Sequence, residues 1–382
     1  LARWSGSARF LWNLAVDQRR WFQRGPGLAS QCRDLTELRA DMDWLRELPA
    51  QTAQQVLGEL DLAWQRCYAG LSRPPRFKRK GQPVTLRFPQ DIEVRRLNRR
   101  WGSVRVPKLG QVRFRWTRDL PGTVKHASLS YVAGGWHVAF CLEVEVKPAA
   151  PNEMPPIGVD RGVAIALMTS EGAAFDRALW TVGEKARLLG LERLKARQVK
   201  DSARYCRTCE KIARLHHRAT NRRQDFAHKV STQLAKNHGL VALEALIIPN
   251  MTKSASGTLA QPGSRVAQKS GLNRAILDKG WGLVASQLRY KADRYGSQLV
   301  EVPPQNTSLA CSVCGCIDRA NRQMQAVFVC VECGHTDHAD VNAALNIRER
   351  GIRLALAGGQ PVPGRRESRR LRTWRQPSPV AA

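Results

Sequence analysis

Two cysteine pairs carry the sharpest chemistry in this chain: Cys311-x-x-Cys314 and, after fifteen residues, Cys330-x-x-Cys333. Two such knuckles bring four thiolates to one tetrahedral Zn²⁺, and the spacing is that of a zinc ribbon. Zinc lowers the pKa of each thiol, so the ligands bind as thiolates. Four sulfur ligands leave no open position, which makes this metal structural. Cys316 reads as a bystander, and His335 is an alternative for one ligand position. Cys206-x-x-Cys209, with His216 and His217 after it, imitates a metal site but sits in a long Arg-rich helical pattern with no second pair. It reads as helix surface. Cys32, Cys67 and Cys141 read as packing residues.

Acidic residues are scarce, 32 against 62 Lys+Arg, so their placement is informative. Asp160 ends the apolar run Ile157-Gly158-Val159, and Glu244 ends Val241-Ala242-Leu243. Asp340 opens Asp340-Val341-Asn342-Ala343-Ala344, a helix start shortly after the second knuckle. Each alone could be a turn residue or an N-cap. Together, three carboxylates at element ends can hold two divalent ions. Hard oxygen ligands suit Mg²⁺, with Mn²⁺ a substitute in vitro. Two such ions activate a water and stabilise the leaving oxygen of a phosphodiester. The residues therefore point to a metal-dependent nuclease or recombinase.

The elements that must position these groups follow from patterning. The chain is 382 residues long with 43% hydrophobic residues, enough for two or three domains. A net charge of +30 calls for a polyanionic partner, nucleic acid or an anionic membrane surface. No apolar run approaches the ~20 residues of a membrane span, and no secretory signal opens the chain, so ten cysteines favour metal over disulfides. Apolar residues at three- and four-residue spacing make residues 1–70 a helical domain. From 71 to 150 the runs turn short and alternating (Thr85–Phe88, Ser103–Val106, Val112–Trp116, Trp136–Leu142), as in an antiparallel sheet or small barrel with Arg on one face. A Pro- and Ala-rich linker leads into an α/β domain over 151–350. It opens with a buried strand at Ile157, a long charged helical stretch over 184–237, a strand at Val241, an amphipathic helix over 272–296 and a strand at Gln298. Residues 351–382 carry seven Arg against one Glu and read as a basic disordered tail.

Gly158-Val159-Asp160-Arg161-Gly162-Val163 resembles the first motif of a RuvC-like nuclease domain, Leu243-Glu244-Ala245-Leu246 the second and Asp340-Val341-Asn342-Ala343-Ala344 the third. A four-cysteine ribbon before the third motif is the arrangement of TnpB, the RNA-guided nuclease of insertion sequences, and of the compact type V CRISPR effectors. Ser7–Asn13, Pro75-Arg76-Phe77-Lys78, Arg222–Lys229 and Gly280-Trp281-Gly282 also have counterparts, in the family's order over residues ~5–350.

The resemblance implies an α+β multidomain protein: a helical recognition domain, a β-barrel (wedge or OB-like) domain, and an RNase H-fold RuvC-like domain holding a zinc ribbon at 308–337. Asp160, Glu244 and Asp340 would be the Mg²⁺-binding catalytic carboxylates. Asp337 competes for the third role, but the Asp-Val-Asn-Ala-Ala context favours Asp340. Cys311, Cys314, Cys330 and Cys333 would hold zinc. Arg76, Lys78, Arg79, Lys80, Arg222 and Arg223 would contact nucleic acid. Partners would be a guide RNA from the transposon end and double-stranded target DNA, read by base pairing next to a short flanking motif. A cytoplasmic, nucleoid-associated monomer in a bacterium or archaeon is expected. The family usually has a strand before the early helix; here the chain starts almost at the helix, which bears on closure of the barrel. The rivals are a guided repressor that binds without cutting, a transposase with a nucleophilic Tyr or Ser, and an RNA-binding zinc-ribbon protein. The repressor would be expected to lose an acid at 160, 244 or 340, and the last rival explains the charge but not the carboxylates.

Overall fold

The apolar spacing near the start of the chain folds as helices: α1 (Ala2–Trp21), α2 (Leu28–Asp41), α3 (Asp43–Arg46) and α4 (Ala50–Tyr68). Trp4, Ala8, Leu11 and Ala15 form one stripe of α1 and join Val56, Leu57, Leu60 and Trp64 of α4 in a single core. The computed structural model describes residues 1–21, 26–79, 84–146, 149–258 and 260–359. These divide into two units, one of Leu1–Val146 with Arg197–Arg214, the other of Lys147–Ala196 with the chain from Leu215.

In the first unit the alternating segment gives β1 (Leu86–Phe88), β2 (Glu93–Arg96), β3 (Trp101–Val106), β4 (Gly110–Arg115), β5 (Thr123–Val132) and β6 (Gly135–Glu143). The barrel expectation meets a different pairing. Two three-stranded antiparallel sheets form, β1-β5-β6 and β2-β3-β4, with no hydrogen-bonded ring among the described residues. Each sheet has one apolar face, and facing packing buries it without any edge pairing. Phe114 of β4 meets Phe140 of β6 with ring centroids 5.2 Å apart. Val104 and Val106 share a core with Leu86, Phe88 and Leu129. Arg105, Arg113 and Arg115 stand exposed on the other face of β3 and β4, Arg113 and Arg115 over the Trp101 ring.

The second unit is built on β7 (Ile157–Asp160), β8 (Leu167–Thr169), β9 (Ala174–Phe175), α5 (Val182–Ala196), α6 (Ala203–Asn237), β10 (Leu240–Glu244), α7 (Ile248–Met251), α8 (Val266–Lys279), α9 (Trp281–Tyr295), β11 (Gln298–Val302), β12 (Val327–Val329), β13 (Thr336–His338) and α10 (Ala339–Ala357). The first residues of α6, to Arg214, group with the first unit. The sheet runs β11-β10-β7-β8-β9, with β7, β10 and β11 parallel and β8 and β9 antiparallel. Its parallel strands are near-continuous apolar runs because both faces are covered. Ile157, Val159, Val241 and Leu243 pack with Val230, Leu234, Val284 and Leu288 on one side. Leu240, Ala242 and Val302 pack with Ile347 and Ala355 on the other.

Two boundaries differ from the sequence reading. The helix expected over 272–296 is two helices, α8 and α9, parted by Gly280 at φ +71°, a left-handed turn that glycine makes without strain. The last helix continues past Gly351 to Ala357. Gly351 is a contact point rather than a stop, since a Cβ there would lie 2.5 Å from that of Ala242. Residues 360–382, where the rest of the expected tail falls, lie outside the described residues.

Candidate active site

Side-chain alternation along a strand places Gly158 and Asp160 on one face of β7, and Ala242 and Glu244 on the same face of β10. The parallel register pairs Gly158 with Ala242 and Val159 with Leu243, so Asp160 and Glu244 come next at the carboxyl ends of neighbouring strands. Helix α10 lies against this face. A methyl group on Gly158 would overlap the Ala344 carbonyl, so only glycine permits the approach. Asp340 stands in the first turn of α10, with Oδ2 3.9 Å from where a Cβ on Gly162 would be. The N-cap is His338, whose Nδ1 accepts the Asp340 N–H at 3.2 Å, and the Asp340 carboxylate is left for other partners. Asp337 is turned away into the β12–β13 hairpin, where its Oδ1 accepts the His338 N–H at 2.6 Å.

Three carboxylates thus share one end of the sheet. Burial pushes the Asp160 carboxyl up to about 7, the charges of Glu244 and Asp340 push the same way, and the Arg161 N–H and the Arg322 charge oppose them. Glu244 is buried and accepts the Thr307 hydroxyl at 2.7 Å. Asp340 is ion-paired to Arg322 at 3.2 Å. Repelling, partly desolvated oxygen donors are a donor set that suits hard divalent ions such as Mg²⁺. Thr307 and Arg322 were not legible as site residues, since nothing local distinguishes them from the many other Thr and Arg; Arg161 stands in the first motif, but the motif gave it no role.

The four cysteines also converge. The Sγ atoms of Cys311, Cys314, Cys330 and Cys333 all lie within 4.8 Å of one another, a set that could hold a metal ion. The N–H of Cys333 does most to lower the Cys330 thiol, to about 6, against the upward push of burial. Asn321, fully buried, ties the knuckles together: its amide donates to Leu309 O and Cys316 O and accepts the Val331 N–H. Asn342 of α10 accepts the Ser312 N–H at 2.9 Å and donates to Ala310 O at 2.8 Å, fixing the first knuckle to the helix that carries Asp340. Cys316 and His335 are not part of the cluster. Cys206 and Cys209 lie on one turn of α6 and join no such group among the described residues.

The cationic residues separate into two kinds. In the first unit, residues 75–79 run beside α1: Trp12 Nε1 donates to Arg76 O, and Asn13 exchanges two hydrogen bonds with the Lys78 backbone. Arg20, Arg76, Phe77, Lys78 and Arg79 line a groove of about 520 Å³. Arg76 and Arg79 are exposed, whereas the Lys78 ammonium lies 3.9 Å from the centre of the Trp12 ring and is lowered by burial. Lys80 lies outside the described residues. In the second unit, Arg222 binds both carboxylate oxygens of Glu184 and donates to Leu179 O, and Arg223 pairs with Asp278 at 2.8 Å. These two guanidiniums are engaged within the protein, tying α6 to the start of α5 and to the end of α8.

The fold and site define a mixed α/β protein of two units, with a carboxylate cluster at the strand ends and a four-thiol cluster beside it. Residues 139–255 match a family model described as a probable transposase, and residues 281–347 match the Cas12f1-like TNB domain. The chain is 36% identical over 376 residues to a putative RNA-guided DNA endonuclease, InsQ, of Escherichia coli (strain K12), covering 96% of this chain and 92% of that protein. It is 29% identical to a putative RNA-guided DNA endonuclease of Streptomyces pristinaespiralis, over all of this chain and 93% of that one. A Cas12f1–sgRNA–target DNA complex is similar over 91% of this chain and 81% of its own, at 14% identity and a TM-score of 0.49. The chain belongs to the TnpB family of RNA-guided DNA endonucleases.

Proposed function

We propose that this chain is an RNA-guided DNA endonuclease of an insertion sequence, hydrolysing target DNA at Asp160, Glu244 and Asp340. The observation that carries the reading is the position of Asp160 and Glu244 at the ends of adjacent strands with Asp340 in the first turn of the helix against them; burial, and then the charges of the other two acids, push Asp160 up to about 7. When bound there, Mg²⁺ would supply a polarised water and charge stabilisation for the leaving oxygen. Asp160 and Glu244 would bind it from adjacent strand ends and Asp340 from α10. Thr307 holds one oxygen of Glu244, leaving the other for the metal. Arg322 balances Asp340 and would have to shift as the centre loads.

The finer architecture is part of the same proposal. Residues 1–70 and 71–150 would hold the guide RNA and read the motif beside the target, with exposed Arg76 and Arg79 among the contacts. Residues 151–350 would form the RuvC-like nuclease domain, and 308–337 a ribbon with structural zinc. Sequence would be read by guide–target pairing, with the protein gripping the heteroduplex by shape and charge. The nucleoid would be the place of action.

The test is to purify the chain with RNA from its native flanking sequence, wild type beside Asp160→Ala, and incubate both with Mg²⁺ and a plasmid carrying a guide-matched target. Wild type should cut the matched plasmid only, and the variant should bind but not cut. Equal cutting by the variant would remove the carboxylate assignment, and absence of bound RNA would remove the guided reading.

A further inference from the structure

Arg161 follows the first carboxylate, and alternation turns it to the face of the sheet opposite Asp160. Its charge neighbours are, in order of strength, Glu244, Glu301 on β11, Asp160 and Arg289 on α9. Only 7% of the residue is exposed. Its Nη2 donates to the main-chain carbonyl of Glu244, and its Nε is buried without a partner. The β7–β10 register ends at Val159 and Leu243, so this carbonyl is one step beyond the ladder. The Leu246 N–H and the Arg161 guanidinium are its donors.

Burying a guanidinium with one donor unmet is costly, and an apolar side chain of similar length would fill the space without that penalty. What an apolar residue lacks is a grip on the Glu244 backbone. We propose that Arg161 is a positioning residue: by clamping the Glu244 main chain from the far face of the sheet, it holds the Glu244 carboxylate in line with Asp160 and Asp340. The inference rests on the reading of these three carboxylates as a divalent-ion centre.

Positioning and simple charge balance predict opposite signs. A positive charge near a cation site opposes metal binding, so its loss alone would tighten binding. Loss of a clamp on a ligand weakens binding, by roughly 10–100-fold where outer-shell partners of metal ligands are removed. The experiment measures Mn²⁺ affinity by electron paramagnetic resonance on the full chain with its zinc retained, well below each variant's melting temperature. Arg161→Met should weaken Mn²⁺ binding about tenfold or more, and Arg161→Lys should recover part of the loss. If Arg161→Met does not fold, Arg161→Gln, which keeps a donor and loses the charge, gives the same reading with a smaller loss. Unchanged or tighter binding in a folded Met or Gln variant overturns the proposal. Glu244→Ala is the control. If it binds Mn²⁺ as wild type does, the three-carboxylate centre itself fails; if it loses binding while the Arg161 variants do not, only the positioning role fails.

Discussion

At the scale of single residues, Asp160 is half-buried, so its charge is poorly solvated, and two other acids repel it. Its folded pKa, raised from 3.8 to about 7, means that the native chain keeps a proton which the unfolded chain releases between those values. Stability without added divalent ion is therefore greatest at the acid end of this window and falls as pH rises through it. The loss has an upper bound of about 4 kcal/mol. Asp160→Asn, which keeps the shape and never ionises, should melt above wild type at pH 8 and no differently at pH 4. Scanning fluorimetry at the two pH values, with zinc retained, checks it, and a variant that melts lower at pH 8 would show that Asp160 is not crowded. The acid was legible from its place after an apolar run. Its partners Thr307 and Arg322 were not, because each reaches the site from a distant part of the chain.

At the scale of elements, the cysteine knuckles and α10 act as one piece. Strand β13 runs directly into α10, and Asn342 fastens the first knuckle to the helix. Losing zinc should therefore loosen the N-terminus of α10 and with it Asp340. Mass spectrometry should find one zinc per wild-type chain and none in Cys330→Ser. The variant should be nicked by protease within 308–337 and cut target DNA at least tenfold more slowly, since removal of a structural zinc unfolds its module. A full zinc complement in the variant would place the metal elsewhere. The spacing of the cysteines revealed the cluster, but the buried amides of Asn321 and Asn342 that join it to its surroundings carry no local signature. The tail boundary at 351 rested on composition, which does not register that Gly351 packs inside α10 against Ala242 of β10.

At the scale of the whole molecule, the charge of +30 sets the conditions for binding. Guide RNA affinity should fall by roughly 10³-fold or more between 50 and 200 mM salt if six or more phosphates are contacted. A filter-binding series over that range measures it, and an affinity insensitive to salt would mean that the Arg excess is not a phosphate-binding surface. Among the described residues, no helix is long and apolar enough to cross a membrane. The sequence by itself determined the helical opening, the strands ending in Asp160 and Glu244, the thiol set and the excess of positive charge, because each is written in local spacing or in composition. The tertiary structure alone decided that the alternating strands form two facing sheets, and that Arg222 and Arg223 are held by Glu184 and Asp278. It alone decided that Arg161 reaches the backbone of Glu244 from beneath the sheet. Partner choice over such separations depends on which surfaces the packed core brings within a few ångströms, and no local pattern of residues encodes that.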